Sequence, residues 1–162
     1  MFNLKRGLAL AALVVVLDQT SKYLISHAFG YGDTRTVTGF FDLVCAHNTG
    51  AAFSLFNNQP GWQREFFIAV SGIASLIIIT LLRRGYGSPL TRYALSLILG
   101  GALGNLIDRL NHGYVVDFLS FHIGVYAWPA FNIADSAITI GALLLLWDNM
   151  KQKKHDARSS QR

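Results

Sequence analysis

The chain has 162 residues, 52% hydrophobic and only 14% charged, with a mean hydropathy of +0.36. A water-soluble domain of this size carries nearer a quarter charged residues, so the composition points to a membrane and to one packed unit, residues 1–162. The formal charge of +5 is not a nucleic-acid signal, because the basic residues flank apolar runs, and the single Cys45 excludes an internal disulfide or a cysteine zinc cluster.

Lys5 and Arg6 precede an apolar run that imitates a cleaved leader, but no small-residue cleavage site follows and the run continues through Asp18-Gln19-Thr20-Ser21-Lys22. At about 1.5 Å per residue, residues 8–27 reach about 30 Å, enough for a first span. Asp18 and Lys22 stand i, i+4 with the acid first, so each neutralises the other inside that span. A serine–lysine dyad from Ser21 and Lys22 fails, because adjacent helical residues point about 100° apart.

Residues 30–61 change character. Arg35 to Cys45 is rich in β-branched and aromatic residues, and Asn48-Thr49-Gly50 carries turn chemistry. Unpaired backbone cannot lie in hydrocarbon, so this segment is expected to form a small β-cradle at the membrane surface. Gly30, Gly32 and Gly61 flank it as candidate hinges. Asn57, Asn58, Pro60 and Gly61 read as a loop, and Trp62 as an interface anchor.

Residues 66–82 form a second span, ended by Arg83-Arg84. The third, residues 93–110, carries Gly100, Gly101 and Gly104, small residues of the kind that let helices approach closely in lipid. Asp108 and Arg109 at its end read as an ion pair, with Arg109 alternatively free to hold a phosphate or a peptide carbonyl. Tyr114 to Tyr126 reads as a partly apolar loop, Pro129 precedes a fourth span at 133–149, and residues 150–162 form a polar tail expected to be disordered. The fold class is therefore a membrane all-α protein with a small β element. Lys5, Arg6, Arg83, Arg84, Arg92, Lys151, Lys153 and Lys154 fall on one side, which puts both termini in the cytoplasm by the positive-inside rule.

Gly100 to Ser136 holds Asp108, Asp117 and Asp135 beside apolar runs. An Asp at the centre of a span costs about 2.5–3.5 kcal/mol, so these acids require a reason. Two carboxylates held close share one proton and can serve as base and acid toward water, with no metal or covalent intermediate. The plainer reading is that Asp117 and Asp135 cap helices or pair with Arg109. Asn105 with Asp108, and Asn132 with Asp135, are three residues apart and share helical faces; the amides can orient acids, hold a substrate's backbone or simply join helices. A proton relay through Asp18, Asp108 and Asp135, or a non-catalytic scaffold, also fits these residues. The histidines show no zinc spacing, and Cys45 reads as a small buried side chain.

In order, the chain carries Asp18-Gln19-Thr20-Ser21-Lys22, Asn48-Thr49-Gly50-Ala51-Ala52-Phe53-Ser54, Gly100 through Arg109, Val115-Val116-Asp117-Phe118 and Phe131-Asn132-Ile133-Ala134-Asp135-Ser136. In these motifs it resembles the bacterial lipoprotein signal peptidases (prolipoprotein signal peptidase, signal peptidase II) across almost its whole length. Cys45-Ala46 ahead of His47 is a slight departure. The resemblance implies four transmembrane helices with an extracytoplasmic β-cradle, and an aspartyl endopeptidase with Asp117 and Asp135 as its catalytic pair. It implies cleavage of diacylglyceryl-modified prolipoproteins just before the lipidated cysteine. Asp18, Lys22, Asn48, Gly50, Asn105, Asp108, Arg109 and Asn132 map onto the polar residues around the pair. It further implies a monomer in the bacterial inner membrane, with the site near the periplasmic face, no cofactor or metal, membrane lipids as surroundings and sensitivity to globomycin.

Overall fold

Each long apolar run closes its backbone hydrogen bonds internally by becoming a helix, the one open-ended geometry that hydrocarbon permits. A computed structural model of the chain describes residues 3–50 and 62–159. The four helices are α1 (Leu4–Ala28), α2 (Gln63–Arg83), α3 (Pro89–Asn111) and α4 (Ile133–Ser159), and all four are long and apolar enough to cross a membrane. Asn3 caps α1 by accepting from the Arg6 amide at 2.9 Å. Ser88 caps α3, and Pro89 occupies its first turn, where a missing N–H has no partner to lose.

Large apolar side chains point outward: Leu76 is 68% exposed and Leu143 61%, a surface that only lipid covers cheaply. The multi-pass membrane fold follows from these faces as much as from helix length. Inside, Ala11, Ile78, Leu82, Leu95 and Leu99 form the core between α1, α2 and α3. α3 packs against each of the other helices and is the most buried of them.

Glycine makes that centrality possible. A Cβ on Gly100 would lie 2.7 Å from the Ala11 carbonyl oxygen of α1, and one on Gly104 would lie 2.6 Å from Asp18 Oδ2. A Cβ on Gly101 would overlap the Ala134 carbonyl of α4. α4 reciprocates with Gly141, whose added Cβ would meet the Ala94 carbonyl oxygen at 2.7 Å. At the opposite end of α3, buried Asp148 of α4 accepts from Ser88 Oγ at 2.6 Å, from Thr91 Oγ1 and from Gln152 Nε2 at 3.0 Å.

The sheet differs from the sequence expectation in one respect that matters. Strands β1 (Thr34–Thr38) and β2 (Phe41–Asn48) arise within residues 30–61 as expected, and residues 51–61, including the Asn57–Gly61 loop and the candidate hinge Gly61, lie outside the described residues. Residues 114–126, read as a loop, supply strand β3 (Val115–Ile123) and the start of β4 (Tyr126–Ala127). The four strands pair antiparallel in the order β1-β2-β3-β4. VVDFLSFHI lacks strict alternation because both faces of β3 are covered near its start, and an apolar run of that kind does not declare itself by period. The tail also differs: α4 continues to Ser159 rather than ending near 149, through a stretch in which Met, Lys, Gln, Ala and Arg, all good helix formers, predominate.

Gly101→Ala is expected to lower stability by about 1–3 kcal/mol, because the clash is with rigid backbone. Gly72→Ala, whose Cβ meets nothing within 4 Å, is expected to leave stability unchanged or slightly raised. Thermal unfolding in detergent compares the two.

Candidate active site

The sheet lies across the end of the bundle where α1 and α3 finish and α4 begins. Cys45 of β2 and Phe118 of β3 pack with Ile25 of α1, and Phe29 and Ile133 close around them. The Val116 amide donates to Asp108 Oδ2 of α3 at 3.2 Å. This contact fixes where the next residue of β3, Asp117, stands.

Under the sheet sits a buried cluster of charges. Lys22 Nζ donates to Asp18 Oδ2 at 2.7 Å, to Asp108 Oδ2 at 2.9 Å and to Asn105 Oδ1 at 3.0 Å. An ammonium has three donors, and each has an acceptor here. Asp18 turns its other oxygen to the Ala134 amide at 2.9 Å, which ties α4 to α1. Gln19 Nε2 donates to Asp108 Oδ1 at 2.8 Å and to the Gly104 carbonyl at 3.1 Å.

With its oxygen facing Lys22, Asn105 presents Nδ2 to Asp135 Oδ1 at 2.8 Å. Asn132 is the second hub. Its Oδ1 accepts from the Asp135 amide at 2.9 Å, capping α4, while its Nδ2 donates to Asp117 Oδ1 at 2.7 Å. Asn48 Nδ2 donates to Asp117 Oδ2 at 3.0 Å, its own oxygen held by the Gly50 amide at 2.9 Å. One amide, Asn132, therefore joins the side chain of Asp117 to the backbone of Asp135.

Asp117 is 2% exposed. Burial, and next the charge of Asp135, push its carboxyl up to about 7, against the opposing pull of the Asn48 and Asn132 amides and of Lys22. A carboxyl raised this far keeps its proton closer to neutral pH than an ordinary aspartate does, the property an acid–base group needs.

Residues 10–151 match the family model described as signal peptidase (SPase) II. The chain belongs to the signal peptidase II family. It is 52% identical to the lipoprotein signal peptidase of Cupriavidus taiwanensis over 149 residues, 91% of this chain and 85% of that one. It is also 52% identical to the lipoprotein signal peptidase of Ralstonia nicotianae over 145 residues, 90% of this chain and 84% of that one. Among solved structures, a bacterial membrane enzyme determined by the in meso method at 2.3 Å resolution superposes with a TM-score of 0.83 at 33% identity, covering 93% of this chain and 91% of that one. Membership makes the chain a membrane-embedded protease.

The residues singled out from the sequence of this signal peptidase II family member gather at one end of the bundle, in contact through the bonds above. Three placements differ from expectation. Asp117 stands on a strand, not in a loop, and Asn132 is the N-cap of α4 rather than part of its helical face. Asp108 and Arg109 do not pair: Asp108 goes to Lys22, as neighbours on a helix diverge. Arg109 Nη2 instead donates to the Gly50 carbonyl at 2.7 Å and Nη1 to the Asn105 carbonyl at 3.3 Å, while its guanidinium lies 5.0 Å from the Phe67 ring centre.

Two contributors carried weak signals in the sequence. Gln19 is a polar residue beside Asp18 inside an apolar run. Arg64, a cation at the start of a span, donates from Nε to the Arg109 carbonyl at 3.1 Å, satisfying the end of α3. Cys45 is 3% exposed and burial raises its thiol pKa, as a packing side chain requires.

Lys22→Met would leave Asp18 and Asp108 buried without their cation. A loss of about 3–5 kcal/mol is expected by denaturant titration in detergent, with Ser21→Ala as the near-neutral neighbour control.

Proposed function

We propose that this chain removes signal peptides from diacylglyceryl-modified prolipoproteins, cutting before the lipidated cysteine with Asp117 and Asp135 as its catalytic pair. The observation that carries the reading is the Asn132 bridge, which brings Asp117 of the sheet beside the first turn of α4 where Asp135 sits. Family membership supports the substrate class.

In the step envisaged, the Asp135 carboxylate takes a proton from water as the water oxygen attacks the scissile carbonyl carbon. Protonated Asp117 gives its proton to the carbonyl oxygen, forming a neutral tetrahedral diol. The carbonyl re-forms as the C–N bond breaks. Asp135 then returns its proton to the leaving amine, and Asp117 recovers the hydroxyl proton. The proton belongs to the pair and is drawn on Asp117, whose carboxyl is pushed up to about 7 by burial and by the charge of Asp135. The scheme with the two acids exchanged balances equally. Asn105 and Asn132 keep the pair oriented, which converts a chance encounter with water into a positioned one.

The lipid anchor suits this position. A diacylglyceryl group in one leaflet holds the scissile bond at the membrane boundary, the level at which the helices end and the sheet begins. Lys5, Arg6, Arg83, Arg84 and Arg92 flank the opposite ends of α1, α2 and α3, so we assign that side and both termini to the cytoplasm and the site to the periplasmic rim. A relay through Asp18, Asp108 and Asp135 is disfavoured because Lys22 occupies two of the three acids and Ala11, Leu95 and Leu99 fill the core beyond.

Purified chain in detergent is to be incubated with a diacylated prolipoprotein and the products weighed by mass spectrometry. The native chain should release the signal peptide and be inhibited by globomycin. Asp117→Asn and Asp135→Asn should each lose cleavage by at least about a thousandfold while staying folded; near-normal processing by either one refutes the assignment. Asp117 carries its proton below about pH 7 and loses it above, so kcat/KM should fall as pH rises through about 7, with an apparent pKa that belongs to the pair. A flat profile from pH 5.5 to 8.5 would overturn the sharing of one titrating proton by the pair.

A further inference from the structure

Two side chains on one face of α2 meet the same residue of α3. Arg64 and Phe67 are three apart, so they leave the helix on the same side. Arg64 Nε donates to the Arg109 carbonyl oxygen at 3.1 Å, and its Nη2 donates to the Leu110 carbonyl oxygen at 3.4 Å. The Phe67 ring faces the Arg109 guanidinium, 5.0 Å from guanidinium carbon to ring centre. α2 therefore grips Arg109 at both ends, backbone and side chain.

What it grips is the turn from which β3 starts. The Arg109 carbonyl also accepts from the Gly113 amide at 3.1 Å, and Gly113, with a φ of 82°, closes the end of α3. The Arg64 stem lies beside that glycine: a Cβ built on Gly113 would stand 3.6 Å from Arg64 Cδ. β3 begins two residues on, at Val115, and carries Asp117. A second route leaves the same arginine. Its Nη2 donates to the Gly50 carbonyl at 2.7 Å, the Gly50 amide donates to Asn48 Oδ1 at 2.9 Å, and Asn48 Nδ2 donates to Asp117 Oδ2 at 3.0 Å. Arg109 thus leads to Asp117 along the backbone one way and through hydrogen bonds the other. The last carbonyls of a helix lack intrahelical partners, and a cation with directed donors keeps that end from fraying.

We propose that Arg64 is a positioning residue for Asp117, acting through Arg109 and the Gly113 turn by two directed donors. The inference rests on Asp117 and Asp135 being the catalytic pair. Arg64 is half exposed and its ion pair with exposed Glu65, at 3.8 Å, is of the kind that contributes little. Its grip on α3 is what sets the direction in which β3 leaves the helix.

The full chain in detergent is to be compared as native, Arg64→Ala, Arg64→Lys, Glu65→Gln and Asp117→Asn, by cleavage of a diacylated prolipoprotein and by amide hydrogen exchange. Arg64→Ala should lower kcat about 10–100-fold with KM within about twofold, the signature of a reacting group held slightly out of place. The fall of kcat/KM with pH should move below about 7, because a carboxyl less firmly enclosed and less closely set against Asp135 returns toward its ordinary range. Amides of residues 113–117 should exchange at least about tenfold faster, while those of α1 and α4 keep native rates. Arg64→Lys keeps the cation but not the fork and should fall between, and Glu65→Gln should match the native chain. A native kcat and pH profile in a folded Arg64 variant overturns the proposal. So does a raised KM at native kcat, which would put Arg64 on the substrate, or an equal loss in Glu65→Gln. Arg64→Lys carries the same readouts if Arg64→Ala does not fold. Cleavage by Asp117→Asn defeats the catalytic assignment instead, and exchange then judges the grip by itself: native rates at residues 113–117 in an Arg64 variant overturn it.

Discussion

The structure depends on one buried cation. Lys22 lies 3% exposed among Asp18, Asp108 and Asn105, and each of its three donors is satisfied. Removing such groups from water costs several kcal/mol per ion, which close partners offset only with full hydrogen bonding. The surplus negative charge is spread over further donors: Gln19 and the Val116 amide for Asp108, the Ala134 amide for Asp18. A cluster built this way tolerates little displacement. It therefore sets the mutual register of α1, α3 and α4 at the end of the bundle where the sheet docks.

Orientation is transmitted outward from that cation by amides. Lys22 claims the oxygen of Asn105 and so turns its nitrogen toward Asp135. The Asp135 and Gly50 backbone amides claim the oxygens of Asn132 and Asn48, so both present nitrogen to Asp117. None of the three amides can flip without losing a bond at each end. The acids are held by groups whose own directions are fixed by backbone or by Lys22, a preorganisation that a loop-borne site would lack.

Close approach of backbone is the second requirement. Gly100, Gly101 and Gly104 bring α3 within contact of α1 and α4 in the turns just before Asn105 and Asp108. Side chains there would push the helices apart and lengthen the bonds of the charge cluster. Packing of small residues and pairing of charges thus act on the same few residues.

Much of this was readable from the residues. Four apolar runs, their basic flanks and the i, i+4 spacing of Asp18 and Lys22 specify spans and a neutralised pair, because helix geometry in lipid is local and leaves few choices. The five ordered motifs were enough for the family. What the chain alone did not reveal depends on meetings between distant segments. β3 reads as a loop until β2 pairs with it, and Asn132 reads as one more helical residue until the start of α4 is known. Asp108 and Arg109 read as partners until the helix sends one to Lys22 and the other to Gly50. Composition determines which groups must be hidden from lipid. Only the tertiary structure decides which partner hides each one, because buried charge selects by direction and distance, neither of which is written in sequence order.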